Sequence, residues 1–336
     1  MSTMSQEFTH RQFDLGKVST YRTELMGVAT LMIIFCHAPA NGVQMPVLFE
    51  RLIRWGGIGV DIFLFLSGVG MYYSLQKKRK LGEWYCHRFL RILVPFLFFS
   101  IPYYIFRWFF DNDGIWHFLG NITTLSFWTR HEGAWFVAML IPLYLLTPWL
   151  AYTINRWQKR YVPTLALCAL SVLGSMIPTH NEVIRNIQMC LGHIPSFFLG
   201  YWIGKYVQSG VRCGRKMCIL GASFLFVTFF VFALLHIPKN WLIVLPLLAA
   251  FVVLFDINPA TTTNTVFSFL GMISLESYLT NIYLPVVMRK LGIKVFFETI
   301  EPRLYLYYLI IIVIGISLAY LGHMASKRIL KALSSF

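Results

Sequence analysis

The chain has 336 residues, of which 57% are apolar and only 13% charged, and its net charge is +15. A soluble domain carries about 25% charged residues, so a water-facing fold could not bury this much apolar surface and lipid must cover part of it. Nucleic-acid binding is excluded as the source of the positive charge, because no soluble basic domain is present to carry it. Basic loops that orient a membrane protein and touch anionic lipid account for it instead.

Met1 to Thr20 is polar, with Glu7, Arg11, Asp14 and Lys17. It lacks the apolar core and small-residue cleavage site of a signal peptide and is expected to be a cytoplasmic tail. Apolar runs of near-spanning length follow. They predict spans over 24–41, 56–75, 92–110, 134–152, 162–178, 193–208, 217–236, 241–257, 266–288 and 305–325. The sixth is short and interrupted by Gly200 and Gly204. Pro39, Pro95, Pro142, Pro148, Pro195, Pro246 and Pro285 fall in or at the ends of spans, where neighbouring helices can satisfy the freed carbonyls. Residues 326–336 close the chain as a basic amphipathic segment expected on the inner leaflet.

With the N-terminus inside, the cytoplasmic segments hold Arg11, Lys17, Arg22, Lys77, Lys78, Arg79, Lys80, Arg88, Arg91, Arg156, Lys159, Arg160, Lys205, Arg212, Arg215, Lys216, Lys327, Arg328 and Lys331. That is 19 of the 29 lysines and arginines, and the asymmetry favours both termini in the cytoplasm. The expected fold class is therefore all-α: a polytopic transmembrane helical bundle of about ten spans, forming one domain over 1–336. The six cysteines show neither CxxC nor metal-ligand spacing and read as packing residues. No metal is expected.

Several residues could carry chemistry. His37 ends the first span, and an imidazole at membrane depth can take a proton from a hydroxyl near neutral pH. A histidine hydrogen-bonded between helices is the alternative. Arg88 and Arg91, at i and i+3, share a helix face at the cytoplasmic end of the third span. Two guanidinium groups there suit phosphate oxygens, although positive-inside anchoring would also place them. Asp61, Glu132 and Glu276 are acids where acids are costly. Glu276 and Tyr283 share a face, and His193 could line the same cavity. Trp135 could pack on a sugar face or simply in the core. No GxxxxGK[ST], HExxH or GxSxG occurs, so phosphate-loop, zinc-protease and nucleophile-elbow chemistries find no support.

The order of motifs is informative. Tyr21-Arg-Thr-Glu-Leu-Met-Gly27 leads to Phe35-Cys-His37. Gly59-Val-Asp-Ile-Phe-Leu-Phe-Leu-Ser-Gly68 and Arg88-Phe-Leu-Arg-Ile-Leu-Val-Pro95 come next. Ala134-Trp-Phe136 follows with Tyr144 and Pro148, and Phe269-Leu-Gly-Met-Ile-Ser-Leu-Glu-Ser-Tyr-Leu279 stands near the end. This order resembles the acyltransferase-3 family of integral membrane acyltransferases, over nearly the whole chain. The resemblance implies O-acylation of a cell-surface or lipid-linked carbohydrate from acetyl-CoA or another acyl-CoA. His37 would then be the general base, oriented by Glu276 or Asp61. Arg88, Arg91 and Arg22 would hold the donor, and Trp135, Glu132 and Tyr283 would contact the acceptor. The family pattern places an arginine before the histidine with ten residues between them. Met26 stands there in this chain, and Arg22 lies one helical turn earlier. A transporter or flippase for a sugar-containing or anionic solute, at the plasma membrane like the enzyme, is the competing reading, since its spans and intramembrane acids would look similar.

Overall fold

The computed structural model describes residues 12–77, 79–257 and 262–333. Glu7, Arg11, Lys78 and the last three residues of the basic tail lie outside the described residues. The chain is 83% helical, and its principal helices are α1 (Arg22–Cys36), α2 (Ile58–Leu75), α3 (Leu81–Asp111), α4 (Trp135–Arg156), α5 (Tyr161–Met176), α6 (Glu182–Gln208), α7 (Arg215–Leu234), α8 (Asn240–Ile257), α9 (Thr262–Met272), α10 (Ser274–Lys290) and α11 (Tyr305–Leu333). The strand pairing among the described residues is a two-residue antiparallel bridge, Phe13–Asp14 with Arg212–Cys213. It ties the start of the chain to the end of α6. Lys17 forms an ion pair with Asp256 and Val18 is buried, so the described end of the N-terminal segment is packed on the bundle.

Among the described residues, seven helical segments are long and apolar enough to cross a membrane: Arg22–Asn41, Val47–Leu75, Leu81–Asp111, Trp135–Arg156, Lys216–Leu234, Asn240–Ile257 and Tyr305–Leu333. The other three expected spans differ for identifiable reasons. The fifth forms α5, whose 16 residues fall short of the roughly 20 that cross a bilayer untilted. The sixth is only the second half of α6, which runs for 27 residues from a polar start at Asn181. The ninth breaks at Ile273 into α9 and α10. Residues 326–333 continue α11 and do not form a separate surface segment, and Ser326 is buried.

α2 is apolar all round its circumference, the pattern of a helix enclosed by others, and it is buried almost continuously from Ile58 to Ser74. α7 is the opposite case. Met217, Leu220, Phe224, Val227 and Leu234 lie exposed along it, a surface suited to lipid.

Two close approaches set the geometry of the centre. α9 crosses α1 with backbones in contact: a Cβ at Gly271 would lie 1.8 Å from the Thr23 carbonyl oxygen, and one at Gly27 would lie 1.9 Å from that of Phe267. α6 packs on α2 in the same way, with Gly200 against the Phe65 carbonyl and Gly68 against that of Phe197. Contacts advance together along these two helices, from Asp61 opposite His193 and Ser196 to Tyr72 opposite Gly204. They therefore run parallel. The two interrupting glycines of the sixth apolar run thus serve helix contact.

Candidate active site

The site consists of two groups of polar residues lying near opposite ends of a narrow apolar slot. At one end the short α2–α3 connection folds the first turns of α3 back on the last turns of α2. Arg88 Nε donates to Ser74 Oγ at 3.1 Å and Nη2 to the Gly70 carbonyl at 3.3 Å. Trp84 Nε1 donates to the same hydroxyl at 2.8 Å, and its ring centroid lies 6.0 Å from the Arg88 guanidinium. Arg22, from the first turn of α1, donates to the Leu66 carbonyl at 3.4 Å. Leu66 and Gly70 are one turn apart, so the two arginines grip successive turns of α2. Arg91 is exposed and close enough for its charge to act on both. The buried Tyr144 is within electrostatic reach of Arg22 and Arg88.

Among the described residues none of these three arginines forms an ion pair, and Arg22 Nε is buried with no hydrogen-bond partner. Three guanidinium groups held together without a carboxylate leave positive charge for an anion to neutralise, and phosphate oxygens match their geometry.

The slot has a volume of about 130 Å³ and is lined by Met26, Ile33, Ser67, Phe136, Tyr144 and Tyr278, among others. Met26 and Ile33 are seven residues apart on α1, so the slot extends roughly 10 Å along it. His37 caps that helix one turn beyond. Its Nδ1 lies 2.7 Å from the Ile33 carbonyl oxygen. A carbonyl only accepts, so Nδ1 carries the hydrogen, and the lone pair of the neutral ring lies on Nε2. Asn281 of α10 is 3.3 Å from the same nitrogen. The atom facing the ring is the amide Nδ2, and a flip of the amide would bring its oxygen to the Nδ1 hydrogen. Tyr308 of α11 donates to the neighbouring Ile34 carbonyl and fixes the same turn. This is an imidazole set to accept a proton at a defined atom.

Neither acid expected to orient His37 does so. Asp61 is fully buried and accepts from His193 Nδ1 at 3.0 Å and from Ser196 Oγ at 2.8 Å, because the parallel packing of α2 and α6 places it opposite those residues. Glu276 accepts from His323 Nδ1 at 3.0 Å, because α10 packs along α11. His193 and Glu276 accordingly line different cavities and not a shared one. The Glu276–His323 pair lines a cavity of about 390 Å³ with Arg91 and Lys327, and this cavity shares Met26, Ser274 and Leu275 with the slot. Met26, at the place of the family arginine, therefore stands where the two spaces meet.

Glu132 accepts from His117 Nε2 at 2.6 Å in the loop before α4. Tyr283 stacks on Tyr103 with centroids 4.1 Å apart, and its hydroxyl lies 2.8 Å from Ser100 Oγ. Trp135 packs against His193 at 5.6 Å. His323 was missed in the sequence, although it is a titratable residue in an apolar run, the same signal that marked His37.

The whole describes a multi-pass helical membrane protein with a cationic end, an apolar slot, and a histidine beyond its other end whose Nε2 can act as a base. Residues 25–322 match the acyltransferase domain of the acyltransferase-3 family, nearly the full chain. The chain belongs to this family and is an acyltransferase. Comparison with curated proteins and with solved structures gave no match.

Proposed function

We propose that the chain is a membrane O-acyltransferase that moves an acyl group, acetyl foremost, from acyl-CoA to a hydroxyl of a cell-surface or lipid-linked carbohydrate. Arg22, Arg88 and Arg91 hold the donor's phosphates, and its thioester arm lies along the slot. His37 Nε2 takes the proton of the acceptor hydroxyl as the oxygen attacks the thioester carbonyl. The C–S bond then breaks, and the CoA thiolate receives that proton from the imidazolium. General-base catalysis of this kind contributes about 10²–10⁴-fold in rate. The basic-residue asymmetry supports donor entry from the cytoplasm and an acceptor at the outer face of the plasma membrane.

One observation carries the reading. The Ile33 carbonyl holds His37 by Nδ1 at 2.7 Å, just past a slot whose opposite end adjoins three arginines without counter-ions. Family membership favours the enzyme over the transporter. Arg22 lies beside Arg88, one turn from Met26, which supports Arg22 as the replacement for the family arginine.

The test is transfer of radiolabelled acetyl from acetyl-CoA in the producing cell's own membranes, with His37→Ala alongside. Label entering a mild-alkali-labile glycan or lipid fraction, and lost in the variant at equal protein level, is the expected result. Equal transfer by His37→Ala would remove the base. No transfer with acceptor present would remove acetyl-CoA as the donor.

A further inference from the structure

A third cavity, of about 420 Å³, opens where the end of α5, the first half of α6 and the start of α8 meet. Its volume falls in the range of about 300–1,000 Å³ usual for small-molecule sites. Arg185, Lys239, Gln188, Asn240, Ser175 and His193 contribute to its lining. Val60, Phe63 and Ser67 of α2 line the apolar slot, whereas Asp61 turns to α6. The two spaces thus lie on different sides of α2.

Three features define what this cavity would take. First, His193 is built in. Its Nδ1 is held by the fully buried Asp61 carboxylate, which Ser196 fixes from its other oxygen. That leaves Nε2, which has no protein partner among the described residues, as the ring's polar atom for a ligand. Second, the charged lining is cationic. Arg185 has a long ion pair with Glu182 at 3.6 Å. Lys239 has none among the described residues, and no carboxylate lines the cavity. Third, two amides and a hydroxyl stand among the cations: Gln188 and Ser175 donate to backbone carbonyls at the end of α5 and offer their oxygens as acceptors, and Asn240 adds an amide donor, a mixture suited to a hydroxylated ring.

We infer that this cavity binds the carboxylate-bearing residue of an acidic oligosaccharide. Trp135 connects it to the slot, its ring packing against His193 and against the next residue, Phe136, which lines the slot. An acidic sugar seated in the cavity sends its neighbour over Trp135 towards the end of the slot. As acceptor of acyl transfer this oligosaccharide rests on the proposed function, but as a ligand it does not, and binding is tested without donor.

The experiment uses the full chain in zwitterionic nanodiscs without acyl-CoA, titrated calorimetrically with a hexuronate-containing disaccharide and with the same disaccharide reduced at the carboxyl. The acidic probe is expected to bind about tenfold or more tightly than the neutral one, the value of a charge-assisted hydrogen bond. Lys239→Ala should weaken it about tenfold and Lys239→Arg should preserve it. Gly192→Leu should abolish it, because a side chain there enters the cavity beside Pro238. The size-exclusion profile and thermal unfolding of each variant check that the fold is intact. Equal affinity for both probes, no binding of either, or wild-type binding by Lys239→Ala and Gly192→Leu would overturn the inference. So would competition by phosphatidylglycerol added to the nanodiscs, which would make the occupant a lipid headgroup. Absence of acyl transfer with acidic-probe binding intact would count against the proposed function alone.

Discussion

Replacing Asp61 by alanine should be one of the most destabilising single changes in this chain. The carboxylate has no exposed surface and accepts from two side chains of α6, His193 at 3.0 Å and Ser196 at 2.8 Å. Removing it leaves two donors without acceptors inside the bundle. Breaking a buried pair of this kind costs about 3–5 kcal/mol. In a double-mutant cycle, part of that cost should vanish once His193 is also alanine, giving a coupling of about 1.5–3 kcal/mol, the size of a hydrogen bond to a charged group. Thermal or denaturant unfolding in detergent, followed by tryptophan fluorescence, reads this out, and Trp135, 5.6 Å from the His193 ring, is a local reporter. Additive single effects would refute the pairing as a source of stability. The milder Asp61→Asn separates two roles. If Asp61 acts through His193, transfer should keep its kcat while the KM for acceptor rises. A lost kcat at native stability would return Asp61 to the orientation of His37.

Two further outcomes are expected. Gly271→Ala should sharply reduce the yield of folded protein, measured by size-exclusion profile, because its Cβ would lie 1.8 Å from the Thr23 backbone oxygen and α9 cannot cross α1 at that distance; a normal profile would refute the crossing. Arg88→Ala should raise the KM for acyl-CoA about tenfold with little change in kcat, the loss of one charge-assisted phosphate contact, and unchanged donor kinetics would reduce the arginine to an anchor.

Much of the site was legible residue by residue. His37, Arg88 and Arg91 stood out because a titratable or cationic group within or beside an apolar run is costly unless it is used, and Arg22 entered only through the family resemblance, as the arginine one turn from Met26. The structure adds a reason to each: a carbonyl that fixes the tautomer of His37, and two turns of α2 that hold Arg22 and Arg88. Asp61 and Glu276 were visible by the same rule, yet their partners were not. Asp61 reaches His193 across 132 residues of sequence, Glu276 reaches His323 across 47, and Asn281 reaches His37 across 244. Periodicity within one helix tells which residues share its face but not which helix will lie against it.

By itself the sequence determined what local chemistry determines. Runs of apolar residues long enough to cross a bilayer must become helices there, since only internal hydrogen bonds satisfy the backbone in lipid. It also placed the residues too polar to be there without cause. Only the tertiary structure decided that Gly27 meets α9, that Gly200 meets α2 in the packing that sets Asp61 opposite His193, and that α10 lies along α11 so that Glu276 meets His323. The slot and the cationic cavity lie on different sides of α2, whose contact with α6 is made at glycines that hydropathy counts merely as interruptions. That distinction depends on steric fit between segments distant in sequence, which no local pattern records.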